Sequence, residues 1–315
     1  MKGKLLLRTY DVKLVGGAMK VEIVGAGAVG LLLGSFLLSK GLEVTFVVRN
    51  EQQLREINEK GIAVQSIEGD MKYFKNAKAS LTLGNERSLV IVSTKYEHLT
   101  SIWPMLLEHR DIGEFLFVQN GLAHYEEGIN QPLSNVSFGS AQFGAQKLNA
   151  VTVAHRGIGV LKLAAGNGAC MLSRELLALG DETMPMEWQE DAFSMLFEKA
   201  LLNCFVNPLT AVLQVPNGQL ITNGHAYTLL EQLYEELMTA FPTYRERFPF
   251  EMVRSLCERT ATNTSSMLAD RLAGRRTEVE TIVGEVIRIA KRGGYEVPVL
   301  TTLYYLVKAL DSIGD

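Results

Sequence analysis

The order of apolar and polar positions divides the chain into two parts with different patterns. In the first part, short apolar runs at 21–24, 42–49, 88–95 and 114–120 alternate with helix-like segments, among them the charged stretch 50–60. Strands that alternate with helices are typical of a parallel sheet with right-handed crossovers. From about 130 to 185 the pattern changes to short, glycine-rich pieces that resemble strands. We therefore predict an α/β domain in the first part.

The pattern becomes helical after Trp188. Helices are predicted at 189–213, 225–240, 250–262, 277–293 and 298–312. This change predicts a parallel-sheet domain over residues 19–187 and an all-helical domain over residues 188–315. Residues 1–18 precede the first strand pattern, and we interpret them as a leader or upstream-start extension to which we assign no role.

A glycine-rich hexapeptide lies between the first predicted strand and the helix that follows it. It consists of Gly25, Ala26, Gly27, Ala28, Val29 and Gly30, which is a GxGxxG pattern. Such glycines allow a tight turn and close approach of a pyrophosphate, while the helix N-terminus offers free N–H groups. We predict that the first domain is a Rossmann-type dinucleotide-binding domain. A glycine turn without a ligand is the alternative.

The end of the second predicted strand indicates which dinucleotide binds. An acidic residue at this position would bind the ribose 2′-hydroxyl of NAD. The sequence there is FVVRN, so Arg49 stands where that acidic residue is expected. A guanidinium group suits a 2′-phosphate, and the sequence therefore favours NADP(H) over NAD, unless Arg49 is simply a solvated surface residue.

Two further polar residues, Lys95 and Asn120, come at the ends of predicted strands. In open α/β sheets the carboxyl ends of the strands form the ligand-binding edge. Both side chains are therefore candidates for contact with a cofactor or substrate. Taken one at a time, a solvated lysine and an Asn-Gly turn are the ordinary interpretations.

The apolar stretch 198–212 contains a polar stripe formed by Lys199, Asn203 and Asn207. Their spacing of four residues puts them on one face of a helix. Burial of these groups without partners would cost several kcal/mol, so they must line a polar cavity, face solvent or contact one another. Pro208 follows the stripe, and it predicts a kink or an interruption of the helix.

Composition excludes several classes of protein. A content of 47% hydrophobic and 21% charged residues is typical of a globular chain, and the net charge of −4 gives no general attraction to nucleic acid or anionic lipid. The uncharged run 23–38 is too short for a membrane span and contains four glycines. The histidines are scattered, so we predict no metal site. Three separated cysteines predict reduced core thiols of a cytoplasmic protein, at positions 170, 204 and 257.

Three segments of the second part resemble a known family. They are K-x-x-x-N-C-x-x-N-P-L-T-A at 199–211, PNG at 216–218, and SSML-x-D followed by R-R-T-E at 265–278. From Met19 to its end, the chain resembles the ketopantoate reductase (2-dehydropantoate 2-reductase) family of the 6-phosphogluconate dehydrogenase-like group. The resemblance implies reduction of 2-dehydropantoate to (R)-pantoate with NADPH, on the route to coenzyme A.

The resemblance also implies roles for individual residues. Lys199 matches the catalytic proton donor of the family. Substrate contacts are implied for Asn120, Asn203, Asn207, Asn217 and Ser266. Cofactor contacts are implied for the glycine loop and for Arg49, Lys95, Asn120 and Glu278. No contacts are assigned between residues 121 and 190.

Two other functions are compatible with the same residues. The protein could reduce a different branched 2-keto acid, or it could be a non-catalytic sensor that binds NADP. A sensor would be expected to lack the proton donor or the substrate asparagines, whereas this chain has both. The apolar helices of the second part are compatible with a homodimer surface and equally with an ordinary core.

Overall fold

The first part of the molecule is built around two β-sheets. The computed structural model describes residues 19–111 and 113–313, so the segment 1–18 lies outside the described residues. The strands are β1 (Lys20–Val24), β2 (Glu43–Val47), β3 (Ile62–Gln65), β4 (Met71–Phe74), β5 (Lys78–Ser80), β6 (Ser88–Val92), β7 (Gly113–Phe117), β8 (Val136–Ala141), β9 (Gly144–Lys147), β10 (Thr152–Gly157), β11 (Leu161–Asn167) and β12 (Met186–Trp188).

The larger sheet has eight strands in the order β12-β11-β8-β7-β6-β1-β2-β5. Its paired strands are parallel except for β8 and β11, which are antiparallel. Strand β1 is central, and its residues 21–24 are buried because both faces of the sheet are covered. The predicted parallel-sheet fold is therefore confirmed.

A smaller four-stranded sheet, in the order β4-β3-β10-β9, lies beside the large one. Strands β3, β4 and β5 lie within residues 61–87, where the apolar pattern predicts no element. These strands are only three or four residues long, and β4 is mostly exposed, so their apolar signal is weak.

The described residues of the first part form five α-helices: α1 (Ala28–Ser39), α2 (Glu51–Lys60), α3 (Leu99–Glu108), α4 (Ala123–Asn130) and α5 (Met171–Glu175). Helix α1 contacts strands β1 and β2 of the large sheet and β3, β9 and β10 of the small one. Since it is covered on most sides, nine of its residues are buried, which explains the uncharged run in the sequence. Asn50 caps α2 by accepting hydrogen bonds from the Gln52 and Gln53 N–H groups.

The second part is helical, as predicted. Its helices are α6 (Ala192–Leu213), α7 (Gln219–Thr222), α8 (Gly224–Ala240), α9 (Phe250–Arg259), α10 (Ser266–Leu272), α11 (Glu285–Arg292) and α12 (Pro298–Ile313). A π-helical turn, Glu280–Gly284, leads directly into α11. Helix α6 lies at the centre and packs against α8, α10 and α12 as well as strands β8 and β11.

The long helix α6 explains two features of the sequence. Among the described residues it is the one helix long and apolar enough to cross a membrane, but 72% of the relevant window is buried inside the protein, as in a core helix. Helix α6 also continues through Pro208 to Leu213, so of the predicted kink or interruption the interruption is wrong. The proline stays within the helix because it is buried in tertiary packing that outweighs the local cost.

The strands that lead to the predicted ligand edge are shorter than the sequence pattern suggested. Strand β6 ends at Val92 and β7 ends at Phe117, so Lys95 and Asn120 lie three residues beyond them, in loops at that edge. The cysteines at 170, 204 and 257 are buried free thiols, as predicted for core positions.

Candidate active site

The glycine loop forms an open cradle between β1 and α1. Gly25 has a φ of +102° and donates its N–H to the Val47 carbonyl at 2.9 Å, so the loop lies beside the end of β2. A side chain at Gly30 would clash with the Gly25 carbonyl, whereas a Cβ at Gly27 would meet no described atom within 4 Å. Gly27 also precedes α1 without a side-chain cap from the described residues. The loop therefore offers space and free N–H groups that fit a pyrophosphate.

Arg49 lies two residues beyond β2, whose last residue Val47 accepts from the Gly25 N–H of the same loop. Its side chain is exposed, and α2 begins two residues later. Gln53, in the first turn of α2, donates from Nε2 to the Ala26 carbonyl at 3.0 Å and so joins α2 to the cradle. This position fits the ribose end of a dinucleotide bound on the loop.

Lys199 reaches from α6 to the edge of the large sheet. Its Nζ donates to the carbonyl of Ala141, at the end of β8, over 2.7 Å. Burial lowers the pKa of Lys199 from 10.5 to about 8, while the negative charge of Glu278 acts in the opposite direction. A lysine with this pKa can hold a proton near neutrality and release it to a developing alkoxide.

Glu278 and Asn120 form a pair between the two parts of the molecule. Asn120 Nδ2 donates to Glu278 Oε2 at 3.1 Å. Burial raises the pKa of the Glu278 carboxyl group, whereas the Asn120 hydrogen bond and the nearby Lys95 and Lys199 lower it. The structure thus brings three of the sequence-predicted residues, Lys199, Glu278 and Asn120, to one place.

Lys95 forms an ion pair with the helical part of the molecule. Its Nζ lies 3.4 Å from the Asp270 carboxylate on α10, and Asp270 is also bonded by Arg275 at 2.8 Å. Asp270 lies within the SSML-x-D segment, and no role is predicted for it from the sequence. Because Lys95 is one of two cations on that carboxylate, its ammonium group remains able to contact an anionic ligand.

The remaining members of the polar stripe face α10. Asn207 is buried, and its Nδ2 donates to Ser266 Oγ at 3.3 Å. Asn203 is half-buried and lies one turn before Asn207, between it and Lys199. The stripe thus lies along the junction of α6, α10 and the sheet edge, and it is not a simple solvated face.

Asn217 is hydrogen-bonded to the segment that precedes α10. Its Nδ2 donates to Thr260 Oγ1 at 2.9 Å, and its backbone N–H donates to the Asn263 carbonyl at 3.1 Å. The Asn217 Oδ1 atom is buried without a hydrogen-bond partner among the described residues. The side chain therefore keeps one acceptor for a ligand or a solvent molecule.

Several polar groups at the sheet edge were missed in the sequence. His124 is fully buried, and burial together with the Lys199 charge lowers its pKa to about 3, so it is a neutral neighbour of the lysine. Thr94, Gln119 and Ser140 also have buried polar atoms without partners among the described residues. Thr94 and Gln119 follow strands and Ser140 is the penultimate residue of β8, a position that could have identified them.

A glycine loop that fits a dinucleotide and a helix-borne lysine, both at the carboxyl ends of the sheet strands, are typical of a nicotinamide-dependent oxidoreductase. Residues 21–168 match the family model "Ketopantoate reductase PanE/ApbA", and residues 191–311 match "Ketopantoate reductase PanE/ApbA C terminal". The chain belongs to the ketopantoate reductase family, which confirms the resemblance found in the sequence.

Individual relatives match over nearly the whole chain. The 2-dehydropantoate 2-reductase of Listeria monocytogenes is 32% identical over 309 residues, which cover 94% of this chain and 98% of the relative. The enzyme of the same name from Bacillus subtilis is 30% identical over 295 residues, with 93% and 98% covered.

Solved structures agree with these matches. A probable 2-dehydropantoate 2-reductase from Bacillus subtilis superposes with a TM-score of 0.81 at 30% identity and covers 93% of this chain and 100% of its own. A D-mandelate dehydrogenase bound to NADH and anilino(oxo)acetate also gives a TM-score of 0.81, with 94% of this chain and 99% of its own covered. Its identity is 22%, so it supports the shared fold alone.

Proposed function

We propose that the protein reduces 2-dehydropantoate to (R)-pantoate with NADPH, in the biosynthesis of pantothenate and coenzyme A. The observation that carries the proposal is Lys199, a half-buried lysine whose pKa is lowered to about 8 at the ligand edge of a dinucleotide-binding fold. The relatives named 2-dehydropantoate 2-reductase at 30–32% identity support the choice of substrate.

Lys199 is the proton donor in this proposal. A bound nicotinamide would supply the hydride to the C2 ketone of the substrate. The ammonium group of Lys199 then stabilises the developing alkoxide and transfers its proton to that oxygen. The negative charge of Glu278 favours the protonated form of Lys199. Asn120 holds the Glu278 carboxylate in place by donating a hydrogen bond to it.

Neutral groups orient the substrate around this lysine. Amides and hydroxyls can bind its carboxylate, ketone and hydroxyl without adding a competing charge. We assign this role to Asn120, Asn203, Asn207, Asn217 and Ser266. The Asn207–Ser266 hydrogen bond supports the assignment, since it places two of these groups side by side.

We infer that the cofactor is NADP(H). The glycine loop of residues 25–30 would hold the pyrophosphate, and Arg49 would bind the 2′-phosphate next to it. Lys95 and Glu278 would contact the nicotinamide side, together with Asn120. The position of Arg49 beside the end of β2, where no carboxylate takes its place, supports NADP(H) over NAD.

The decisive experiment is a steady-state assay with purified protein. Oxidation of NADPH is followed with ketopantoate, and NADH, ketoisovalerate and oxaloacetate are tested in parallel. We expect the highest kcat/KM with ketopantoate and NADPH. Turnover with another keto acid alone would assign the protein to a related 2-keto acid reductase. Cofactor binding without any turnover would favour the sensor.

We also infer a cytoplasmic homodimer. Apolar residues remain exposed along α6, α8 and α12, namely Leu213, Leu229 and Leu306. A ketopantoate reductase from Staphylococcus aureus with a TM-score of 0.75 and 21% identity is described as dimeric. Light scattering on the purified protein should give twice the mass of the chain, and a monomer at all concentrations would contradict the inference.

A further inference from the structure

The β9–β10 hairpin lies directly against the glycine loop. Lys147, the last residue of β9, donates from Nζ to the Ala26 carbonyl at 3.0 Å. Gln53 donates to the same carbonyl at 3.0 Å and to the Ala150 carbonyl, in the hairpin turn, at 2.6 Å. The hairpin, the loop and the start of α2 are therefore held together by two side chains.

The Lys147 ammonium group lacks a charged partner in this arrangement. Among the described residues, no carboxylate lies within ion-pair distance of it, and its hydrogen-bond acceptor is a neutral carbonyl. Burial lowers the pKa of Lys147, and no anionic group opposes this effect. An anion bound nearby would restore the charged form and gain a charge-assisted hydrogen bond.

The location of Lys147 indicates which part of a dinucleotide it faces. Its Nζ and the Gln53 Nε2 share the Ala26 oxygen, so these nitrogens lie within about 6 Å of each other. Gln53 belongs to the first turn of α2, four residues after Arg49. Gly27, where a Cβ would meet no described atom within 4 Å, instead directly precedes α1. Lys147 is therefore on the α2 side, where a ribose 2′ substituent is expected.

We propose that Lys147 is a second cationic anchor for the 2′-phosphate of NADP(H) and acts together with Arg49. The proposal rests on the proposed cofactor and adds a residue from a segment of the chain in which sequence analysis assigned no contact. A phosphate monoester carries nearly two negative charges near neutrality, so two cations from different elements match it better than one. Lys147 reaches the site from β9, and Arg49 reaches it from the end of β2.

The test measures equilibrium binding of NADPH and NADH, without keto acid, to wild type and to Lys147→Gln. Cofactor fluorescence gives both dissociation constants. We expect NADPH to bind about tenfold more weakly to the variant, while NADH binding changes by less than about twofold. The loss should shrink as salt is added, because exposed charge interactions are screened.

Two variants serve as controls for charge and for shape. Lys75→Gln removes the same charge from an exposed site after β4, at the opposite edge of the small sheet, and should change neither constant. Lys147→Met keeps most of the aliphatic chain and should reproduce the effect of Lys147→Gln. Lys147→Arg should retain most of the preference for NADPH.

The possible outcomes separate this inference from the proposed function. The wild-type ratio of NADPH to NADH affinity tests the proposed cofactor, and the change of that ratio in the variants tests Lys147. Equal weakening of both cofactors, or no weakening of NADPH in either Lys147→Gln or Lys147→Met, would overturn the proposal. Thermal melting of the free variants verifies that each one is folded.

Discussion

At the scale of single residues, the burial of Lys199 lowers the stability of the fold and, in the proposed mechanism, makes the lysine a suitable proton donor. In the unfolded chain its pKa has the ordinary value of 10.5, and in the folded protein burial lowers the pKa to about 8. The folded state therefore binds this proton less tightly than the unfolded state. The resulting destabilisation is fully present below pH 8 and disappears as the pH rises through 10.5.

Replacement of Lys199 by methionine should affect activity and stability in opposite directions. We expect kcat to fall by at least about a thousandfold because the proton donor is lost, with NADPH binding nearly intact. The free energy of unfolding at pH 7 should rise by about 2 kcal/mol, because removal of a partly desolvated charge outweighs loss of the hydrogen bond to the Ala141 carbonyl. Urea unfolding at several pH values measures the difference, which should shrink between pH 8 and 10.5.

The exposed Lys291 offers a matched control, since Lys291→Met should change neither quantity appreciably. Near-normal turnover in Lys199→Met would refute its role as proton donor. A stability difference that is independent of pH would contradict the proposed effect of burial.

Glu278 should set the pH range in which Lys199 is protonated. Its charge raises the pKa of Lys199, so Glu278→Gln should lower that pKa below its wild-type value of about 8. The proposed mechanism requires the protonated lysine, and the alkaline limb of kcat/KM should therefore move to lower pH in the variant. The pH profile of the exposed Glu246→Gln should match wild type, whereas an unchanged or alkaline-shifted limb in Glu278→Gln would contradict the coupling.

At the scale of elements, the junction of α6 and α10 positions the side chains that we propose bind the substrate. Ser265 caps α10 by accepting from the Leu268 N–H at 3.1 Å, and its Oγ lies 2.8 Å from the Thr210 hydroxyl of α6. The adjacent Ser266 is exposed and accepts from Asn207. Of the two neighbouring serines, Ser265 caps α10, whereas Ser266 contacts the polar stripe of α6.

The two serines should respond differently to replacement by alanine. Ser265→Ala removes a helix cap and a buried hydrogen bond, so the free energy of unfolding should fall by about 1–2 kcal/mol. Ser266→Ala should leave stability within about 0.5 kcal/mol of wild type and raise KM for the keto acid. Denaturant unfolding and steady-state kinetics on both variants test the contrast, which equal stabilities would refute.

The sequence predicted the glycine loop and the polar stripe of α6 better than it predicted the short strands and the full length of α6. The GxGxxG pattern and the Lys199 stripe are local, so strand–turn–helix order and helical periodicity reveal them directly. The short strands β3–β5 carry little apolar signal, and the continuation of α6 through Pro208 depends on packing that no local pattern records.

At the scale of the whole molecule, Gly121 lies where a loop of the sheet domain contacts the π-helical turn of the helical part. Its φ is +86°, and a Cβ there would clash with the Thr281 carbonyl. The same carbonyl accepts from the Leu122 N–H at 2.8 Å, next to the Asn120–Glu278 pair. The proposed division into domains 19–187 and 188–315 falls one residue before the end of β12, whose Trp188 still pairs with Leu163 of the large sheet. The contacts at Gly121 join the two domains.

Replacement of Gly121 by alanine should disturb both stability and catalysis. The added methyl group must push the π-helical turn away from the loop, so unfolding should become easier by about 2–3 kcal/mol and kcat should fall with the separation of Asn120 from Glu278. Gly41→Ala is a matched control, because its φ is +83° but its Cβ would meet no described atom within 4 Å. It should cost only about 1 kcal/mol and leave kcat unchanged; equal effects of the two variants would contradict the close approach.

The sequence by itself determined the dinucleotide loop, the arginine at the end of β2, the polar stripe of α6 and the family, because each depends on residues close together in the chain. The tertiary structure decided the partners: Lys199 bonds a carbonyl 58 residues away, Asn120 a carboxylate 158 residues away, and Lys147 the glycine loop 121 residues away. Such pairs depend on strand order and on the packing of α6 against the sheet. Burial and the charges that face each group, which set the pKa of Lys199, exist only once the chain has folded.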